Sequence, residues 1–100
     1  MAGYSSFREF YPFYLGEHSD RVCRRLHFVG SLGALGFLAT AIVQRNAWWL
    51  LGALVCGYAF AWVGHFFFEK NRPATFKYPF YSFAGDWVMF KDILIGRIPF

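Results

Sequence analysis

Charge is scarce in this sequence. Only 16% of its 100 residues are charged, against 57% hydrophobic and 24% aromatic. A soluble domain of this length has too much surface for its volume to hide that much apolar side chain, so an ordinary water-soluble globule is excluded and lipid is the alternative solvent. Cysteine is scarcer still. Cys23 and Cys56 are the only two, and their placement, one before and one inside an apolar run, offers no disulfide framework. The N-terminal stretch MAGYSSFREF lacks a basic head followed by an apolar core, so no cleavable signal peptide is expected. Repeats and low-complexity segments are missing as well. The net charge is +4 and the pI about 9.3. The basic residues flank apolar runs instead of interleaving with an aromatic platform, which argues against a nucleic-acid partner.

Two long apolar runs are present. Leu26 to Val43 is eighteen residues with one histidine and no fixed charge, and Trp48 to Phe68 is twenty-one residues without a charge. A transmembrane helix needs about 20 residues, which the second run supplies outright and the first supplies when its helix begins near Arg21. Only QRNA separates them, short enough for an antiparallel hairpin. Small residues recur on both runs (Gly30, Gly33 and Gly36; Gly57, Ala61 and Gly64), and they permit close approach of helix backbones in lipid, although glycine is common in membrane helices in any case. Nine of the ten Lys and Arg residues lie at or beyond the open end of the hairpin, and Arg45 alone lies in the turn. By the charge rule both termini are then cytoplasmic.

The flanks carry helical signals too. Ser6 to Glu9 has capping-box form, with Phe7, Phe10, Tyr11 and Tyr14 on one face. Pro12 is expected to kink or shorten that helix. Asp86 is placed to cap a helix through about Ile95, with Trp87, Phe90 and Leu94 on one side. The expectation is an all-α membrane protein, a single domain over residues 1–100. It would comprise a two-span antiparallel transmembrane hairpin (about 21–43 and 48–69) with interfacial amphipathic helices at both ends (about 6–15 and 86–95). Asp20, Asp86 and Asp92 read as caps and surface charge. Trp48, Trp49 and Trp87 read as interface anchors; Tyr11 and Tyr14 could line a site, with core or interface packing the stronger reading. Two spans make a small contact area within lipid, which leaves room for a homo-oligomer.

The three histidines are His18, His27 and His65. In an antiparallel hairpin, residues equally far from the turn lie at equal depth. His27 and His65 are each nineteen positions from Asn46, so they should be level. His18 would be about 13.5 Å away along a continuous helix and on its far side. It joins the others only if the helix starts after it, which Ser19 or Asp20 permits as N-cap. Three imidazoles with Glu69 near them suit a divalent transition metal, Fe(II) among them. Isolated histidines are also ordinary polarity at a membrane boundary, and Glu69 beside Lys70, Arg72 and Arg25 is equally an ion-pair partner. Level histidines on neighbouring helices would also suit a bis-histidine haem carrier, and a non-catalytic small membrane protein is a third reading.

The run GHFFFEKNRPA carries a family resemblance. It is similar to the signature of the 2-hydroxy fatty acid dioxygenases first recognised in fungal phytosphingosine breakdown. That signature reads Gly-His, two variable positions, Phe-Glu-Lys, one variable position, then Arg-Pro-Ala. Its fixed elements stand here at Gly64, His65, Phe68, Glu69, Lys70, Arg72, Pro73 and Ala74. The family's other block, Phe-Tyr-x-Phe-Tyr followed by two histidines, resembles Phe10 to Tyr14 with His18 and His27. This chain departs in having Cys23 where the family pattern has asparagine, and a four-residue turn where the fungal enzyme inserts further hydrophobic segments. The resemblance implies an Fe(II)-dependent membrane enzyme that uses dioxygen to shorten a 2-hydroxy fatty acid by one carbon. It further implies His18, His27 and His65 as ligands, and Glu69 as a ligand or as a catalytic group orienting an imidazole. Arg24, Arg25 or Arg72 would hold the substrate carboxylate.

Overall fold

The computed structural model describes residues 4–100. Four α-helices account for most of them, and no strand occurs among the described residues. Helix α1 (Phe7–Gly16) opens at Ser6, whose hydroxyl accepts from the Glu9 N–H. It runs through Pro12 to Gly16 without being cut short. The cost there is small: the ring forfeits one hydrogen bond on an exposed face of a ten-residue helix. Helix α2 (Arg21–Gln44) opens at Asp20, whose carboxylate accepts from the Cys23 N–H at 3.0 Å. It closes at Arg45, in left-handed conformation with φ 53°. Helix α3 (Trp49–Val63) follows after a four-residue turn and passes directly into a π-helical turn over Gly64–Glu69. A 3₁₀ turn (Ala74–Phe76) leads to α4 (Pro79–Leu94).

Helices α2 and α3 pack antiparallel along their length. They approach closely at the Cys23 level, where a Cβ on Gly64 would lie 2.9 Å from the Cys23 sulfur and 3.1 Å from its Cα. Only glycine admits that approach, and it is next to His65. With the π turn included, both helices are long and apolar enough to cross a membrane. Their outward faces are bare hydrocarbon: α3 buries none of its residues, and Ile42, Leu51 and Val55 are each more than half exposed.

Helices α1 and α4 contain the opposite kind of surface. Phe10, Tyr14, Met89 and Ile93 interlock with Ala74 in a buried cluster, ringed by Tyr4, Phe7, Tyr78 and Tyr81. The aromatic edges and faces meet at 5–6 Å, the separation at which such rings attract. The end helices are therefore packed on each other as a cap, with α4 also touching α2 through the stacked Phe28 and Phe90 rings. Two expectations are corrected here. Helix α4 begins seven residues before Asp86, because Pro79 stands at its first position, where a missing N–H costs nothing. Asp86 and Asp92 consequently serve as interior acceptors for tyrosine hydroxyls from α1, not as caps or surface charge: Tyr14 donates to Asp86, and Tyr11 donates to Asp92 at 2.7 Å.

Candidate metal centre

The three histidines arrive by three separate local devices. His27 lies one turn inside α2, and its Nδ1 faces the Cys23 carbonyl of the preceding turn at 2.9 Å. His18 lies just before the α2 N-cap, so the chain is free to fold it back. Its Nδ1 donates to the Tyr14 carbonyl at 2.6 Å, and its ring lies nearly parallel on the Tyr14 ring with centroids 4.0 Å apart. His65 sits in the π turn, a widened helical turn often found at functional sites. Its Nδ1 faces the Asn71 side-chain oxygen at 2.7 Å. Asn71 cannot reverse that arrangement, since its amide nitrogen donates to the Glu17 carbonyl at 3.1 Å.

The rings converge, with centroid separations of 4.4, 4.5 and 4.9 Å. Each is almost wholly buried. One ring nitrogen from each lies within 4.8 Å of the other two, a set that could hold a metal ion. A neutral imidazole has a single N–H, and in all three that proton is committed through Nδ1 to a fixed oxygen. Every Nε2 then presents a lone pair. Yet the Nε2 atoms of His18 and His27 are only 3.1 Å apart. Two lone pairs at that distance repel unless a cation lies between them. Protonating His18 would relieve the contact, but its burial, followed by the neighbouring His27 and His65, pushes its basicity well below the usual imidazole range. The cavity at this point measures about 10 Å³, the room of one small particle, and is lined by the three histidines with Tyr58, Ser82 and Asp86. His18 packs against both other rings, which leaves no plane for a porphyrin between His27 and His65.

The remaining candidate residues lie around this cluster and not in it. The Glu69 carboxylate accepts from the backbone N–H of Asp20 and lies 3.4 Å from the Ser19 hydroxyl. It thereby ties the end of the π turn to the start of α2. The Arg24 guanidinium donates to the carbonyls of His18 and Ser19 at 3.2 and 2.8 Å, holding the loop that carries His18. Arg25 donates to the Phe100 carbonyl and covers its ring, and Arg72 covers Phe76. None of the three arginines points its fork into the cluster.

Two neighbours are not signalled by the sequence, Asn71 and Asp86. Asn71 occupies a variable position of the signature. Tyr14, expected to pack or to line a site, does both, and its ring and carbonyl position His18. Asp86 was read as a cap, whereas it lines the cavity and takes the Tyr14 hydroxyl. Burial raises the Asp86 carboxyl to about 7, with the Tyr14 hydrogen bond acting in the other direction. Burial and Asp86 together raise the Tyr14 phenol well above its usual range, so it stays a donor at any physiological pH.

No curated protein and no solved structure matches the chain. The pattern of one family, described as 2-hydroxy-palmitic acid dioxygenase Mpo1-like, matches residues 4–98. That span takes in all three histidines, the π turn that presents His65 and the α1–α4 cap that holds His18, and on it the chain belongs to the Mpo1-like family.

Proposed function

We propose that this protein is an integral membrane dioxygenase that holds Fe(II) on His18, His27 and His65 and shortens 2-hydroxy fatty acids by one carbon. The observation that carries the reading is the convergence of three buried imidazoles on one small cavity, each bringing a ring nitrogen within 4.8 Å of the other two, with the Nε2 atoms of His18 and His27 3.1 Å apart. The donor set fits the ion. Nitrogen ligands with positions left open suit Fe(II) in oxygen-using sites, and ligating histidines characteristically donate their second N–H to a fixed oxygen, as all three do here. Bound iron would supply the means of bringing dioxygen and the 2-hydroxy acid together and of passing electrons between them.

The chain's own residues do the rest. Tyr14, Cys23 and Asn71 fix the three rings so that the lone pairs face inward. Arg24 and Glu69 close the loop over the cluster through backbone groups. Asp86, near neutrality, is placed to accept or return a proton at the cavity wall. The overall change, a 2-hydroxy acid plus dioxygen giving an acid one carbon shorter, carbon dioxide and water, balances without a further reductant. Membrane residence rests on the bare apolar face of α2 and α3, and the excess of Lys and Arg at or beyond the open end of the hairpin favours cytoplasmic ends.

The test is oxygen uptake by iron-loaded, detergent-purified protein given 2-hydroxyhexadecanoic acid, with the product identified by mass spectrometry. Pentadecanoic acid, formed without added reductant and not formed from the 3-hydroxy isomer, is the expected result. Iron-loaded protein that consumes neither oxygen nor acid would refute the proposal.

A further inference from the structure

A second cavity, of about 160 Å³, opens between α2 and α3 and is walled on one side by Phe83 and Trp87 of α4. It adjoins the histidine cavity: His27, Tyr58, Ala61 and Asp86 line both. Its polarity is graded. Apart from the Trp87 ring, the polar lining (His27, Ser31, Tyr58 and Asp86) is gathered at the histidine end, and the far end is made by Leu38, Leu50, Ala53 and Leu54. That gradient matches an amphiphile lying lengthwise, head at the histidines. A helix of a second copy would call for an evenly apolar seam.

We infer that this groove seats the alkyl chain of the substrate and measures its length, with Gly57 and Ala53 setting how deep the chain can go. The inference rests on the reading of the cluster as a 2-hydroxy acid oxygenase. His27 and Leu38 are eleven residues apart on α2, as are Leu50 and Ala61 on α3, which makes the groove about 16.5 Å long. An extended alkyl chain advances about 1.25 Å per carbon, given bonds of about 1.5 Å at near-tetrahedral angles. With the second carbon at the histidines, the groove accommodates about 13 further carbons and a total chain near 15 or 16. Gly57 keeps the middle of the track open: a Cβ there would meet only the Ala34 methyl, at 4.0 Å. A larger side chain at 57 would therefore fill the groove without colliding with a helix.

The experiment uses iron-loaded full-length protein and a series of 2-hydroxy acids from eight to eighteen carbons. Ala53→Phe should lower the preferred length by about four carbons and Gly57→Leu, one turn nearer the histidines, by about eight. Both should keep wild-type iron content. Leu51→Phe, on the outer face of α3, should leave the profile where it is. A profile unmoved by both groove variants, or moved equally by Leu51→Phe, overturns the inference. A second arm needs no turnover: 2-hydroxyhexadecanoic acid bearing a terminal photoreactive diazirine is cross-linked to the protein. The inference expects labelling at Leu38, Leu50 or Leu54 that excess unlabelled 2-hydroxy acid abolishes and excess phospholipid does not. Labelling that phospholipid removes equally well overturns it. Specific labelling without oxygen uptake would instead refute the oxygenase reading and leave the groove as a binding site.

Discussion

The cap and the hairpin are built from similar residues and held by different forces. In the cap, Phe10, Tyr14 and Met89 are at most 1% exposed and touch aromatic neighbours on several sides. In the hairpin, α3 buries nothing, and Val55 is 60% exposed. The cap is packed as a soluble core is, by removing apolar surface from solvent. In the proposed membrane setting the hairpin would gain nothing from burying leucine against leucine, lipid being equally apolar, and would depend on close backbone approach at small residues. The histidine cluster sits on the seam. His18 belongs to the cap and His27 and His65 to the hairpin, so the cluster forms only when the two regions are docked.

That contrast can be broken most directly by truncation. Phe10→Ala should cost about 3–5 kcal/mol, as for other large buried aromatics. Leu51→Ala, which exchanges one lipid-facing hydrocarbon for a smaller one, should cost under about 1 kcal/mol. Thermal unfolding in bicelles compares the two, and equal losses would mean that the hairpin is packed like a soluble core. A charge sharpens it from the other side. Val55→Lys should oppose membrane insertion by about 2.5–3.5 kcal/mol, whereas the same change on a water-exposed helix stays within about 0.5 kcal/mol. Glycosylation-tagged insertion assays read this as a fall in the inserted fraction, and an unaltered fraction would remove α3 from the bilayer.

The seam gives two smaller effects. Asn71→Ala frees the His65 ring and should weaken metal binding by about 10–100-fold without unfolding the protein. Asn71→Asp keeps the acceptor and should recover part of the loss, as measured by competition with a chelating dye. Asp86 supplies a pH signature in the metal-free protein. Burial pushes its carboxyl up to about 7 in the folded chain, from 3.8 for a free aspartate side chain. The folded chain holds that proton more tightly, so the contribution is fully present below about pH 4 and is lost as pH rises through 7. Asp86→Asn should therefore gain stability relative to wild type between those limits, on the order of 1 kcal/mol once the groove's access to the carboxyl is allowed for. A pH-independent difference would contradict the assignment.

Much of this arrangement was legible in the chain because the hairpin turn is short. Four residues between the helices make depth a matter of counting, and the count put His27 level with His65. Asp20 as N-cap then left His18 outside the helix and free to return. Helix ends marked by Ser6, Asp20 and the QRNA turn fell within a residue of expectation. What counting cannot reach is contact between distant segments. Tyr14 and Asp86 are 72 positions apart, and nothing in either neighbourhood signals the other. Pro79, which starts α4 early, was passed over in favour of a more familiar capping residue. The π turn is equally silent in sequence, since its register depends on how Gly64 lies against Cys23. Glu69 shows the limit from the other side. Its place in the signature suggests a ligand or a group orienting an imidazole, and its charged neighbours an ion pair; the fold shows its carboxylate accepting from the backbone N–H of Asp20.

The central claim is that three histidines from cap and hairpin make one metal site. Anaerobic Fe(II) loading of the purified protein, followed by metal analysis of wild type and of His18→Ala, His27→Ala and His65→Ala, tests it most directly. The account predicts one ion per chain in the wild type and loss of that ion in each variant, His18→Ala included, with helical content retained. Iron bound at wild-type stoichiometry by all three variants would contradict it.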